Sequence, residues 1–161
     1  MQARLSAFLA SVVLLGLASP AQAQRRDEEV GRIGNVAIFR VFEGARFDRC
    51  FGLLPGRLGG ARIFWAVGRE YTLTVNGVNP PGDKPVNIRT PGGPINARGR
   101  TDGGQGRTII PLNGQQVERL IQVRGNLEVT VEGTTFPYPL QGVTMQQVFQ
   151  RIEDCAMRNN R

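Results

Sequence analysis

Gly59-Gly60, Gly68-Arg69, Asn76-Gly77 and Pro80-Pro81-Gly82 follow one another so closely that only short strands fit between them. Such residues supply the positive or fixed φ that tight turns require. Within REYTLTVNG, Tyr71, Leu73 and Val75 point one way while Glu70, Thr72 and Thr74 point the other. That alternation predicts a half-solvated antiparallel strand. Residues 36–42, 47–54 and 63–67 supply apolar side chains to further strands. PVNIR, INARGR and RTIIP are shorter candidates, and LEVTVEG with TTFPYPL reads as a hairpin whose Leu127, Val129 and Val131 share a face. Many short strands punctuated by turns predict an α+β fold of about seven or eight mostly antiparallel strands, curled into a sandwich or partial barrel.

Two helices are marked by their caps. Asn113 with Gln116 forms a capping box for residues 114–123, and Gly125 is expected to end that helix in the left-handed conformation. Thr144 with Gln147 repeats the device for residues 145–157. On this second helix Val148, Ile152 and Cys155 fall on one stripe, so the thiol should face the core.

The N-terminus, MQARLSAFLASVVLLGLASPAQA, combines one charge at Arg4, an apolar stretch over residues 7–18 and a small-x-small site at Ala21-Gln22-Ala23. Residues 1–23 therefore read as a secretory signal peptide, too short in its apolar part to span a bilayer. No second run of membrane length follows, so no transmembrane segment is expected after cleavage and the mature chain should be periplasmic or secreted by a bacterium. Residues 24–33 are expected to form a flexible charged leader, and 34–161 a single β-rich domain. The two cysteines, Cys50 and Cys155, are an even pair in an oxidising compartment, which predicts one disulfide tying the C-terminal helix to an early strand.

Several chemistries are excluded by inventory. The chain has no His, and its three serines, Ser6, Ser11 and Ser19, all precede the cleavage site, so a Ser-His or Cys-His nucleophile cannot be assembled. Two cysteines without His do not make a structural zinc site. They also lack the Cys-x-x-Cys spacing that lowers a thiol pKa. The carboxylates Glu43, Asp48, Glu128, Glu132, Glu153 and Asp154 could in principle serve as acid/base pairs, but each is explained as solvated surface. No catalytic residue, metal or other cofactor is expected.

The mature chain carries 19 basic and 13 acidic residues, net +6, and 18 of the basic residues are Arg. They are densest in NARGRTDGGQGRT and its surroundings, where residues 89–108 hold four Arg, one Asp and six Gly. Nucleic acid is an unexpected partner, because residues 72–135 contain no aromatic side chain on which a base could stack. The segment is expected to be a pair of short edge strands with solvated Arg and Gly. Its candidate role is anion binding through Arg89, Arg98, Arg100 and Arg107, with an anionic envelope polymer or lipid head group as partner.

LEVTVEGTTFPYPLQGVTMQQVFQRIEDC runs strand, turn, strand, Leu-x-Gly, capped helix, Cys. In this order, and in Leu140, Gly142, Val148, Cys155 and the upstream Cys50, residues 115–155 resemble small uncharacterised exported proteins of alphaproteobacteria. Those are similar in turn to the invasion-associated locus B type of periplasmic protein. The resemblance implies a β-rich fold with a helix-to-strand disulfide and no established enzymatic activity, and it carries over no functional residue. The expectation is a non-catalytic exported binding or interaction protein of unknown ligand, with an inhibitor of a secreted enzyme on a disulfide-stapled β scaffold as the alternative.

Overall fold

The period-two runs form strands, and they join into one sheet. The structure is a computed structural model describing residues 24–78, 80–104 and 106–160. The signal peptide expected at 1–23 lies outside the described residues. Ten strands are present: β1 (Arg25–Ile33), β2 (Val36–Glu43), β3 (Arg46–Leu54), β4 (Ala61–Trp65), β5 (Tyr71–Asn76), β6 (Gly82–Arg89), β7 (Ile95–Thr101), β8 (Arg107–Leu112), β9 (Arg124–Val131) and β10 (Thr134–Thr144). With them are α1 (Gly114–Leu120) and α2 (Met145–Asn159). The strands lie in the order β1-β2-β3-β4-β5-β8-β7-β6-β9-β10 and every neighbouring pair is antiparallel.

The sheet curls until its ends meet. At the turn between β1 and β2, the Asn35 N–H donates to the Gln141 carbonyl at 3.2 Å. Its side-chain amide donates to the Pro139 carbonyl at 2.8 Å and accepts from the Gln141 N–H at 3.0 Å. Gly34 makes this approach possible: its φ is +54°, and a Cβ there would sit 2.3 Å from the Gln141 carbonyl oxygen. The result is the partial barrel, with α2 lying across β2, β3 and β4 and touching β10.

Helix α2 is held by both devices read from the sequence. Thr144 and Gln147 complete their capping box, and the helix buries Met145, Val148, Phe149, Ile152, Cys155 and Ala156. Burying each of the larger ones, Met145, Val148, Phe149 and Ile152, contributes about 1.5 to 3 kcal/mol. Gly52 on β3 lets the helix come close, since a Cβ there would lie 3.2 Å from both Ile152 and Val148. The Cys50–Cys155 disulfide fixes the same contact.

Because Cys50 faces the helix, its neighbour Phe51 faces outward, and there a second, smaller core forms. Phe39 stacks on Phe51 with centroids 4.8 Å apart, Phe51 meets Phe64 at 5.0 Å, and Val41, Phe51 and Phe64 are buried. The guanidiniums of Arg62 and Arg49 lie over Phe51 and Phe64. Long arginine stems cover apolar surface while their heads stay near water.

Three expectations need correction. The supposed leader is strand β1, in register with β2 from Arg25↔Glu43 to Ile33↔Val36. Its dense run of charges hid it: Arg26 and Arg40 both pair with Glu28, at 2.7 and 2.8 Å, and Arg32 pairs with Glu29 at 2.7 Å. Main-chain pairing and ion pairs hold this strand, with little apolar burial, as suits a charged sheet edge. The first helix stops at Leu120, and Gly125, with φ +73°, lies in β9 instead of capping it. Thr74, expected on a solvated face, is buried between its register neighbours Arg62 and Ile109.

The other edge, β10, is guarded differently. Pro137 and Pro139 are exposed on it while Phe136, Tyr138 and Leu140 point into the core. Proline has no N–H to offer a further strand, so it belongs at an edge.

Lys84, the single lysine of the chain, is buried on β6, and its ammonium donates to Glu132 Oε2 at 2.7 Å. Removing one member of such a pair leaves a buried charge uncompensated. Glu132→Gln is expected to destabilise by about 1 to 2 kcal/mol, reduced from the fully buried case because the Glu132 side chain is half exposed. Lys84→Met, which removes the charge itself, should cost less. Urea unfolding of both variants checks the order.

Candidate basic face

The Gly/Arg segment is a hairpin inside the sheet. β7 lies between β8 and β6, and β8 between β5 and β7, so the expected edge position is incorrect. Gly99 is also buried and not solvated: a Cβ there would come within 2.5 Å of the Thr108 side chain and 3.0 Å of Ile110. Glycine is required at this strand position by close packing over the core.

Burial of Gly99, Thr101, Thr108 and Ile110 sets the direction of their neighbours. Arg98, Arg100, Arg107 and Ile109 must point outward, since adjacent residues of a strand face opposite sides. Arg98, Arg100 and Ile109 are exposed and Arg107 is half-buried. Register then recruits a residue far away in sequence. Arg100 lies opposite Ile109, Ile109 opposite Thr74, and Thr74 opposite Arg62, forming one transverse row. Three strand steps separate the Arg62 and Arg100 backbones, about 14 Å, and the Arg62 guanidinium leans the other way, over Phe51 on β3.

Arg62 feels the Arg107 charge. Burial, and then the Arg107 guanidinium, lower the Arg62 guanidinium from its ordinary value, against an opposing pull from Asp27. The Nε atoms of both arginines are buried and have no hydrogen-bond partner. Among the described residues, no salt bridge engages Arg62, Arg98, Arg100 or Arg107. Acid is sparse on this face. Asp83 is exposed opposite Arg100, and Asp102 is occupied in the hairpin turn, where it accepts from the Arg107 backbone N–H at 3.1 Å.

Arg89 does not join them. It sits at the far end of β6, six residues beyond Asp83, about 20 Å along the strand, and pairs with Glu128 at 3.3 Å. Arg98, Arg100 and Arg107 therefore lie together on adjacent strands, while Arg89 stands about 14 Å from Arg98 with its charge engaged by Glu128, and Arg62 is the further arginine that Arg107 reaches. Nothing along the chain marked Arg62, because only strand register brings it beside Arg107.

The carboxylates are distributed among separate partners. Asp48 meets Arg49 at 2.6 Å and Arg69 at 3.3 Å, Glu128 meets Arg89, and Glu132 meets Lys84. Glu153 accepts from the Tyr71 hydroxyl, and burial, reinforced by that carboxylate, raises the Tyr71 phenol far above its usual value. No protein-family model, curated protein or solved structure matches this chain.

Proposed function

We propose that the chain is a non-catalytic exported protein that holds an anionic polymer or lipid head group of the cell envelope against the outer face of its sheet. The observation carrying this reading is that Arg98, Arg100 and Arg107 share the outer face of the neighbouring strands β7 and β8, that the Arg107 charge reaches Arg62, and that among the described residues none of the four is in a salt bridge. Burial and the nearby Arg107 guanidinium disfavour the charge on Arg62. An anion set between them relieves that repulsion, and a repeating polyanion reaches the whole row. The absence of His from the sequence, the confinement of Ser to residues 1–23, and the resemblance of residues 115–155 to exported proteins without established activity support a binding role over turnover.

The test compares retention on lipopolysaccharide and on a sulfonated matrix across a salt series. Wild type should bind at low salt and release steeply toward physiological strength, where exposed charges are screened beyond about 8 Å. The triple variant Arg98→Gln, Arg100→Gln, Arg107→Gln should lose about ten- to a hundredfold in affinity, from roughly 0.5 to 1 kcal/mol per exposed contact. Arg89→Gln should retain wild-type binding, since Arg89 lies elsewhere and is already paired. Equal retention of wild type and triple variant would overturn the proposal.

A further inference from the structure

A cleft of about 410 Å³ opens between the β1–β2 ribbon and the C-terminal half of α2, on the side of the molecule occupied by the helix. Part of its floor is apolar, with buried Ile38 and, beside it, Cys155 of the disulfide, while most of the remaining lining side chains are polar or charged. Val30, one of the few large apolar side chains left exposed, stands at its wall. Four arginines line the rim, and they differ in how they are held. Arg32 is engaged by Glu29 through Nε and Nη2. Arg40 donates from Nε to Glu28 at 2.8 Å and from Nη1 to the Asn159 side chain at 3.3 Å, which fixes its head beside the last turn of α2. Arg151 and Arg158 are exposed on α2 and carry no ion pair among the described residues. Asp154 lies between them on the same helix and also lines the cleft.

This arrangement discriminates between anions. Arg40, pinned through Asn159, and Arg158, the residue before it, place two guanidiniums at one end of an apolar trough. Around them stand Glu28, Asp154 and the partial negative charge of the helix C-terminus, which together disfavour a dianion. With Arg151 counted, three guanidiniums stand against the two carboxylates of Glu28 and Asp154, so one negative charge is balanced there and two are not. The apolar floor in turn rewards a ligand that brings hydrocarbon with it, as pockets of this size generally do. We propose that the cleft binds an organic monoanion, a carboxylate on a short hydrocarbon body, with the carboxylate at Arg40 and Arg158, Arg151 flanking it, and the hydrocarbon on Ile38, Val30 and the disulfide.

The site is separate from the basic face, so the two can fail independently. The probe is octanoate, followed by amide NMR shifts on the full mature chain, with octanol and inorganic phosphate as comparison ligands. Octanoate should shift amides of β1, β2 and the end of α2, and octanol and phosphate should bind at least tenfold more weakly. Arg151→Gln with Arg158→Gln should weaken octanoate about tenfold or more. Val30→Asp should also weaken it, and as a change at an exposed edge-strand position it should not prevent folding. The triple variant of the basic face should bind octanoate as wild type does, even where it has lost polyanion binding. Failure of octanoate to bind, unchanged binding in the Arg151/Arg158 variant, or phosphate binding as tightly as octanoate would each overturn the proposal.

Discussion

Replacing Cys50 and Cys155 together with Ala is expected to destabilise the protein by about 4 to 5 kcal/mol. The bridge joins residues 105 apart in sequence, so it closes a loop spanning most of the sheet and removes much of the freedom of the unfolded chain. Cys50 is fully buried on β3, and Cys155 lies on the core side of α2 beside the cleft. Loss of the bridge therefore frees α2 from the strand it covers, at the place where Gly52 admits it. For a domain of this size the melting temperature should fall by roughly 10 to 20 °C. Thermal unfolding of the oxidised protein, the reduced protein and the double variant checks this. A fall of only a degree or two would mean that helix packing alone holds α2.

Gly34→Ala is expected to cost about 4 to 5 kcal/mol, through a different mechanism. Part is the strain of placing a side chain at φ +54°, of order 1 to 2 kcal/mol. The rest follows from the Cβ pushing on the Gln141 carbonyl and breaking the bonds of Asn35 to Gln141 and Pro139, worth about 1 kcal/mol each. Gly68→Ala separates the two contributions, because Gly68 also has positive φ, +77°, yet a Cβ there meets no atom within 4 Å. It should show the strain alone. Amide exchange at Gln141 should accelerate in the Gly34 variant and stay slow in the Gly68 variant. Equal destabilisation of the two would show that the seam between the β1–β2 turn and β10 adds nothing to stability.

What could be read from the sequence was whatever local chemistry determines. The alternation of Tyr71, Leu73 and Val75 defines a strand face because burial imposes period two, and Leu73 and Val75 are fully buried. Asn113 with Gln116 and Thr144 with Gln147 mark helix starts because the cap satisfies donors within one turn. The two cysteines had no other partner in sequence. By contrast, β1 buries almost nothing and is held by main-chain pairing and charge pairs, which leave no apolar rhythm. The positive φ of Gly125 was correctly anticipated from its type, but a glycine states where the chain can turn and not which element it ends. Basic density along the chain also differs from density in space. Arg89 is near Arg98 in sequence, but four residues of strand separate it from the position opposite Arg98 and Glu128 engages it, whereas Arg62 is brought to Arg107 by the pairing of β4, β5 and β8.

The central claim, that Arg62, Arg98, Arg100 and Arg107 act as one anion-binding surface, is tested most directly by following arginine side-chain Nε–H resonances while adding an anionic oligosaccharide fragment of lipopolysaccharide. The Nε–H groups of Arg62 and Arg107 are suited to this, being buried and without an internal acceptor. The account predicts that the four resonances move together along one binding curve, while that of Arg89, held by Glu128, stays still. Shifts confined to Arg89, or distributed evenly over all arginines, would contradict it.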